Sequence, residues 1–382
     1  MTAEEGSGPA AKRVLSDRPV SGSGGSGNPV LRTRLCELFG VDYPIVQTGM
    51  GWVAGPRLAS ATSEVGALGI LAAATMTIPQ LKDAISEVQS RTSKPFGVNI
   101  LTNQNDTDDR VDLIASSGVK VASFAQAPTA TIVRRLKDAG VVTVATVGQR
   151  RHAEKVAGFG VDAVIAQGGE GGGHTGAIPT SLLLPSVVDA VGIPVIAAGG
   201  FFDGRGLVAA LAYGAEGIAM GTRFLLTSDS RVPDPVKRAY LDAGLLDTIV
   251  TDAIDGAPQR VIRTPVIDEI AKAGRVAAYT RAVRAALAFR KLTGTRLSAL
   301  LRDGAAMKQN QEMSWSQVIM AATAPMLTRA AMVEGRLDAG ILPTGQVTGL
   351  VGELPSAGEL VERVMGEARA VLERLGAGAP TV

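Results

Sequence analysis

The stretch Ile165-Ala-Gln-Gly-Gly-Glu-Gly-Gly-Gly-His174-Thr-Gly176 combines an imidazole with an unusually bare backbone. His174 is one of only two histidines in the chain. An imidazole gives or takes a proton near neutral pH, which suits general acid–base work. Five glycines precede it within six positions: Gly168, Gly169, Gly171, Gly172 and Gly173. Glycine tolerates positive φ and lets main chain approach a ligand closely, at an entropic cost. The opposing reading is a surface loop carrying a solvated histidine. Glu170 in the same loop is read as an orienting or capping group, not a catalytic one. The second histidine, His152, lies in Gln149-Arg-Arg-His-Ala-Glu-Lys155, where an exposed helix start is expected.

Three further glycine-bearing segments follow apolar, strand-like runs. They are Gln47-Thr-Gly-Met-Gly51, Ala198-Gly-Gly-Phe-Phe-Asp-Gly204 and Met220-Gly-Thr-Arg223. In the last two, the amides of Gly199, Gly200, Gly221 and Thr222 could donate to a phosphate dianion, assisted by a helix N-terminus. The alternative for each is a tight turn between strand and helix. Asp203 is read as the cap of the helix that follows it. A phosphate cradle beside glycine-lined loops after the first and sixth strands suits flavin mononucleotide (FMN), whose flat ring needs close main-chain contact. Asn99 and Gln167 are candidates to meet the ring heteroatoms, and either could instead be a satisfied core amide.

These residues need a scaffold that brings strand ends together. With 382 residues the chain can bury a large core, and an apolar fraction of 46% against 19% charged fits a globular enzyme. A net charge of +2 gives no case for a nucleic-acid or membrane-surface partner. The single cysteine, Cys36, excludes an intramolecular disulfide and a cysteine zinc cluster. No metal site is expected, and a reducing, cytoplasmic setting is. Residues 1–29 carry Ser21-Gly-Ser-Gly-Gly-Ser-Gly27 and no apolar signal core, so they read as a disordered tail, and residues 377–382 read as a short C-terminal tail. No apolar run is long enough to span a bilayer.

Strand candidates fall at 44–50, 68–73, 96–101, 119–125, 141–147, 161–167, 193–198 and 216–220. Each is apolar nearly throughout, as expected of a strand covered on both faces. Helix-length segments lie between them, several closed by a glycine suited to a helix C-terminus: Gly118, Gly140, Gly160 and Gly214. Eight such units predict an α/β fold, a TIM (β/α)8 barrel over residues 30–232. The glycine loops then share its C-terminal rim. The last two occupy the slots after strands seven and eight, which commonly bind phosphate in this architecture. An open doubly wound sheet is the structural alternative. Residues 233–342 read as a mainly helical lid, with Arg275, Arg281, Arg284, Arg290, Lys291, Arg296 and Arg302 at loosely helical spacing. Those charges form either a solvated face or a basic patch for an anionic substrate. Residues 343–376 read as a return segment and a final helix, 356–375, packed on the barrel.

In combination, Pro44-Ile-Val-Gln-Thr-Gly-Met50, Gly97-Val-Asn99, the histidine loop, Ala197-Ala-Gly-Gly200, Met220-Gly-Thr-Arg-Phe224 and Gly345-Gln-Val-Thr-Gly349 resemble the nitronate monooxygenase (2-nitropropane dioxygenase) family. The resemblance spans about residues 31–375 and takes in the flavin-dependent enoyl-thioester reductases of the same fold. It implies a TIM barrel holding FMN non-covalently. It assigns flavin contacts to Gly49, Met50, Asn99, Gln167, Gly172, Gly199, Gly200, Gly221 and Thr222, and the active-site imidazole to His174. Two departures stand out. Glu-Gly-Gly-Gly-His replaces the usual Glu-Ala-Gly-Gly-His. Thr48-Gly-Met-Gly-Trp52 stands where nitronate oxidisers carry an Ala-Pro-Met start. Gln47-Thr-Gly-Met-Gly-Trp-Val-Ala54 and Gly199-Gly-Phe-Phe-Asp-Gly-Arg-Gly206 are similar to an actinobacterial branch that acts on a bicyclic acyl-CoA in steroid-ring breakdown. The resemblance therefore implies an acyl-CoA substrate, with nitronate oxidation or enoyl-thioester reduction as alternatives. It leaves open whether O2 or NAD(P)H is the redox partner, and the oligomeric state. A relative of inosine-monophosphate dehydrogenase is disfavoured, because Cys36 precedes the first strand instead of lying on a rim loop.

Overall fold

A strand buried along its whole length needs cover on both faces, which a parallel sheet ringed by helices provides. The protein is described by a computed structural model over residues 29–272, 280 and 323–376. In it the eight apolar runs close into a barrel. Its strands are β1 (Ile45–Gln47), β2 (Leu68–Ala72), β3 (Phe96–Ile100), β4 (Val121–Phe124), β5 (Val142–Val147), β6 (Ala163–Gln167), β8 (Val195–Ala198) and β9 (Gly217–Met220). All pairings are parallel and follow chain order. Closure is made by β9 on β1, with Ile45 opposite Ile218 and Gln47 opposite Met220. The open doubly wound alternative is thereby excluded.

Alternation along the strands sorts inside from outside. Val46, Leu68, Ile70, Val121, Val144, Ile165, Ile196 and Ala219 fill the barrel interior. Leu35, Cys36 and Phe39 of α1 (Arg34–Phe39) pack into the same cluster and plug one end. Asn99 follows Gly97, and Gln167 follows Ile165, at the same two-residue period. Both amides therefore project inward at the C-terminal ends of β3 and β6.

The outer ring comprises α2 (Pro56–Glu64), α3 (Ile78–Arg91), α4 (Thr107–Ser116), α5 (Ala130–Asp138), α6 (Arg150–Gly158), α7 (Thr180–Val188) and α8 (Gly204–Ala212). Gly118, Gly140, Gly160 and Gly214 all adopt positive φ, as helix-terminating glycines should. After β9 come the short α9 (Thr222–Leu225) and α10 (Asp234–Leu241). The final helix, α13 (Ala357–Gly376), packs on α8. Gly204 permits this close approach, since a methyl group there would sit 2.5 Å from the Glu367 Cβ and the Val364 carbonyl oxygen.

The segment 233–342, expected to be mainly helical, departs from that expectation after α10. Residues Thr248–Thr251 and Gln259–Ile262 form an antiparallel hairpin, β10 and β11. β-branched residues favour extended backbone here, and a free edge is available for β11. That edge is β7 (Gly173–His174), which leaves the barrel rim and pairs with β11. Helices α11 (Pro265–Lys272) and α12 (Thr323–Met332) belong to the same segment. With the hairpin they form a small satellite core of Ile254, Val261, Ile267, Ile270, Ala324 and Ile341. The arginine-rich stretch and both terminal tails lie outside the described residues. Among the described residues no helix is long and apolar enough to cross a membrane, and no group of three or more His, Cys, Asp or Glu side chains could hold a metal ion.

Candidate active site

The loops that follow β1, β3, β6, β8 and β9 meet at the C-terminal rim, and they do so through the residues singled out in the sequence. Gly49 lies against Asn99, where any side chain would overlap the Asn99 Cβ. Gly221 faces Met50, and an added methyl would be 3.5 Å from the Met50 sulfur. Gly200 faces Glu170 across an open 3.8 Å. Gly199 and Gly200 both adopt φ near +90°, with values of 91° and 88°. Only glycine takes that conformation without strain.

The cradle residues fit an anion. Among the described residues, the amides of Gly199, Gly200, Gly221 and Thr222 donate no hydrogen bond within the protein. Four unpaired donors on two adjacent turns are the chemistry a phosphate needs. Asp203 caps α8 as expected, its Oδ1 accepting from the Gly206 amide at 3.0 Å. Arg223, from the same sequence motif as Thr222, does not join the cradle. It is 3% exposed and donates to the Leu226 carbonyl at 3.0 Å. Burial, with Arg363 nearby, pulls its pKa down to about 10.

The two inward amides are half engaged. Asn99 Nδ2 donates to the Ser123 carbonyl at 3.3 Å and to Ser123 Oγ at 3.2 Å. Gln167 Nε2 donates to the His174 carbonyl at 2.8 Å. Their carbonyl oxygens make no hydrogen bond among the described residues and remain as acceptors for an N–H of a ligand ring. By contrast Gln47 is a satisfied core amide, bonded to both N–H and C=O of Ile70.

Other glycines of the histidine loop serve the protein's own chain. A methyl on Gly172 would sit 2.5 Å from the Gly345 nitrogen and from the Thr344 carbonyl carbon. The return segment 343–346 therefore threads directly beneath this loop. It is held by the Gly345 amide on Thr222 Oγ1 at 2.9 Å and the Gln346 amide on the Glu170 carbonyl at 3.0 Å. The Glu170 carboxylate accepts from the Thr180 amide at 3.0 Å and from its hydroxyl at 2.6 Å, so it caps α7 and orients the loop.

His174 stands at the edge of this rim. Its side chain is 64% exposed, while that of its partner Asp255 is 6% exposed. Nε2 of His174 lies 2.9 Å from Asp255 Oδ2. Asp255 also accepts from Gln259 Nε2 at 2.6 Å and from the Ala257 amide at 3.1 Å. Burial pushes the Asp255 carboxyl up, but the hydrogen bond and charge of His174, with the bonds from Gln259 and Ala257, hold it below its ordinary value. Sequence reasoning missed Asp255. It lies 81 positions from His174 and reaches it through the β7–β11 pairing. The only local signal is the turn Asp252-Ala-Ile-Asp-Gly256. His152 sits apart in α6, its pKa lowered by partial burial and by Arg151 and Lys155.

Trp52, directly after the Met50 loop, is the one non-glycine residue with positive φ among the described residues, at 65°. For a bulky residue this costs about 1–3 kcal/mol. Its Nε1 donates to the Pro325 carbonyl at 2.9 Å, and Arg329 lies 5.8 Å from its ring centroid. A hydrogen bond and a cation–π contact contribute roughly 1 kcal/mol each, enough to offset most of the strain. They fasten α12 to the loop after β1.

A closed parallel barrel with an anion cradle after its last two strands and one imidazole on the rim defines a cofactor-binding barrel enzyme. A family model described as nitronate monooxygenase matches residues 32–111 and 106–367, and the chain belongs to that family. Membership makes it a flavin-dependent oxidoreductase, as the sequence resemblance implied. Over 338 residues it is 56% identical to a protein of Mycobacterium tuberculosis named (3aS,4S,5R,7aS)-5-hydroxy-7a-methyl-1-oxo-octahydro-1H-indene-4-carboxyl-CoA dehydrogenase, covering 88% of this chain and 95% of the relative. A protein of the same name from Rhodococcus jostii is 53% identical, covering 91% and 98%. The solved structure of FabK from Thermotoga maritima superposes with a TM-score of 0.75 at 34% identity, over 91% of this chain and 99% of that one.

Proposed function

We propose that the protein is an FMN-dependent dehydrogenase of a bicyclic, steroid-derived acyl-CoA thioester, with His174 as its acid–base group. The observation that carries the substrate class is the 56% identity, over 95% of its length, to a dehydrogenase of that acyl-CoA. The cofactor reading is supported by the four unpaired amides of Gly199, Gly200, Gly221 and Thr222, which suit a terminal phosphate. Gly49, Met50 and Gly172 would belong to the ring side of the rim, and the free oxygens of Asn99 and Gln167 are the acceptors available to a ring N–H. When bound, FMN supplies the two-electron chemistry and the barrel supplies position and electrostatics.

The chain's own work is proton transfer. A carbon next to a thioester carbonyl is acidified by that carbonyl. His174, half in solvent at the rim, takes the proton from it, and such assistance contributes about a hundred- to ten-thousand-fold in rate. Asn99 and Gln167 orient the ring edge.

The test is anaerobic bleaching of the purified yellow protein. The bicyclic acyl-CoA should reduce the flavin, and propionate-3-nitronate should do so poorly. Mass analysis of the acid-released cofactor should give FMN. Reoxidation by O2 against NAD(P)+ identifies the redox partner. His174→Ala should retain flavin and lose reduction by acyl-CoA. Efficient nitronate oxidation with no response to acyl-CoA would overturn the substrate assignment.

A further inference from the structure

We infer that Asp255 is a positioning residue for His174: it fixes the ring with Nε2 protonated and so leaves Nδ1 as the nitrogen that exchanges a proton with substrate. This rests on the reading of His174 as the acid–base group.

The geometry is specific about which nitrogen is engaged. Nε2, not Nδ1, faces the Asp255 carboxylate at 2.9 Å. An ionised carboxylate only accepts, so Nε2 must carry the hydrogen. The remaining lone pair, on Nδ1, then belongs to the exposed side of the ring. Deprotonation of a substrate carbon follows directly: the C–H bond breaks, its electron pair stays on carbon in conjugation with the thioester carbonyl, and the new N–H bond forms at Nδ1.

Backbone pairing holds this arrangement. Gln259, which donates to the Asp255 Oδ2, is the residue directly opposite His174 in the β7–β11 ladder. Ala257, which donates to Oδ1, lies between them in the chain. One hairpin therefore supplies the carboxylate, both of its other donors and the strand that carries the histidine's register. The β10–β11 hairpin thus has a chemical role beyond its packing in the satellite core.

The same contacts say what an amide would do at this position. In Asp255→Asn, the fixed Ala257 N–H demands an oxygen at the Oδ1 site. The Nδ2 group then falls at the Oδ2 site, facing His174 Nε2. Two donors cannot face each other, so Nε2 becomes an acceptor and the hydrogen moves to Nδ1. The Gln259 amide can rotate to accommodate the change, whereas the Ala257 amide cannot.

The experiment is nitrogen-15 spectroscopy of histidine-labelled, flavin-loaded protein under conditions where the rings are neutral. With only two histidines in the chain, His152→Ala assigns the spectrum. His174 in the native protein should show the Nε2–H tautomer, and Asp255→Asn the Nδ1–H tautomer. In the same variant kcat should fall by about 100-fold or more, with flavin content and KM within about twofold of native, since neither depends on the tautomer. Asp255→Asn added to His174→Ala should cause no further loss. A native His174 in the Nδ1–H form would overturn the inference, and that measurement needs no variant. So would native kcat in Asp255→Asn while His174→Ala is inactive. Turnover retained in His174→Ala would instead overturn the acid–base reading itself.

Discussion

Gly200 and Gly160 offer a matched pair that separates backbone strain from cofactor binding. Their φ angles are 88° and 89°, and neither has a protein atom close to where a methyl group would stand. At Gly200 the nearest is 3.8 Å away, an ordinary contact, and at Gly160 nothing lies within 4 Å. Alanine at either position therefore adds no clash. Each costs about 1–2 kcal/mol from the left-handed conformation alone. In the cofactor-free protein, both variants should lower Tm by the same few degrees. Their locations differ. Gly160 lies between α6 and β6 on the closed end of the barrel, whereas Gly200 contributes an unpaired amide to the cradle. A methyl at Gly200 crowds the approach to that amide. FMN titration of the two apoproteins, followed by fluorescence quenching, should give a native Kd for Gly160→Ala. For Gly200→Ala it should rise by tenfold or more, about 1.4 kcal/mol. Equal FMN affinity in the two variants would refute the cradle assignment, whatever their stabilities.

Two further outcomes follow from buried polar contacts. Tyr240 is fully buried, with its hydroxyl on the Pro343 carbonyl at 2.9 Å, so Tyr240→Phe should cost about 1–2 kcal/mol in thermal or urea denaturation and loosen the return segment. The depressed Asp255 carboxyl contributes stability that is fully present above the ordinary carboxylate range and is lost as pH falls through its folded value. The Tm difference between the native protein and Asp255→Asn should accordingly be constant near neutrality and shrink in acid, and a difference that grew in acid would contradict the assignment.

The barrel was legible because its strands are buried on both faces and so print as unbroken apolar runs, each closed by a helix and a positive-φ glycine such as Gly140 or Gly214. The paired glycine turns after the last two strands were legible because those slots have a known use in this architecture, and the structure leaves their amides unpaired. The reasons for individual glycines were less legible. Gly49 and Gly172 sit where ligand contact was expected, yet the atoms that exclude a side chain are Asn99 and the Thr344–Gly345 backbone. A sequence shows that a position is bare, not what leans on it. The hairpin at 248–262 escaped notice because its strands are only four residues each, and because their partner edge, Gly173–His174, belongs to a glycine run with no strand propensity of its own. Asp255 was invisible for the same reason: its link to His174 exists only through that pairing.

The thread of residues 343–346 beneath the histidine loop also dictates an order of events during synthesis. The Gly345–Thr222 hydrogen bond joins positions 123 residues apart. At roughly 5–20 residues per second, a ribosome needs about 6–25 s to supply the second partner after the first. Throughout that interval every barrel strand already exists, while the floor of the histidine loop does not. The packing of that loop on Gly345 and Gln346 is therefore completed only when these residues have been made.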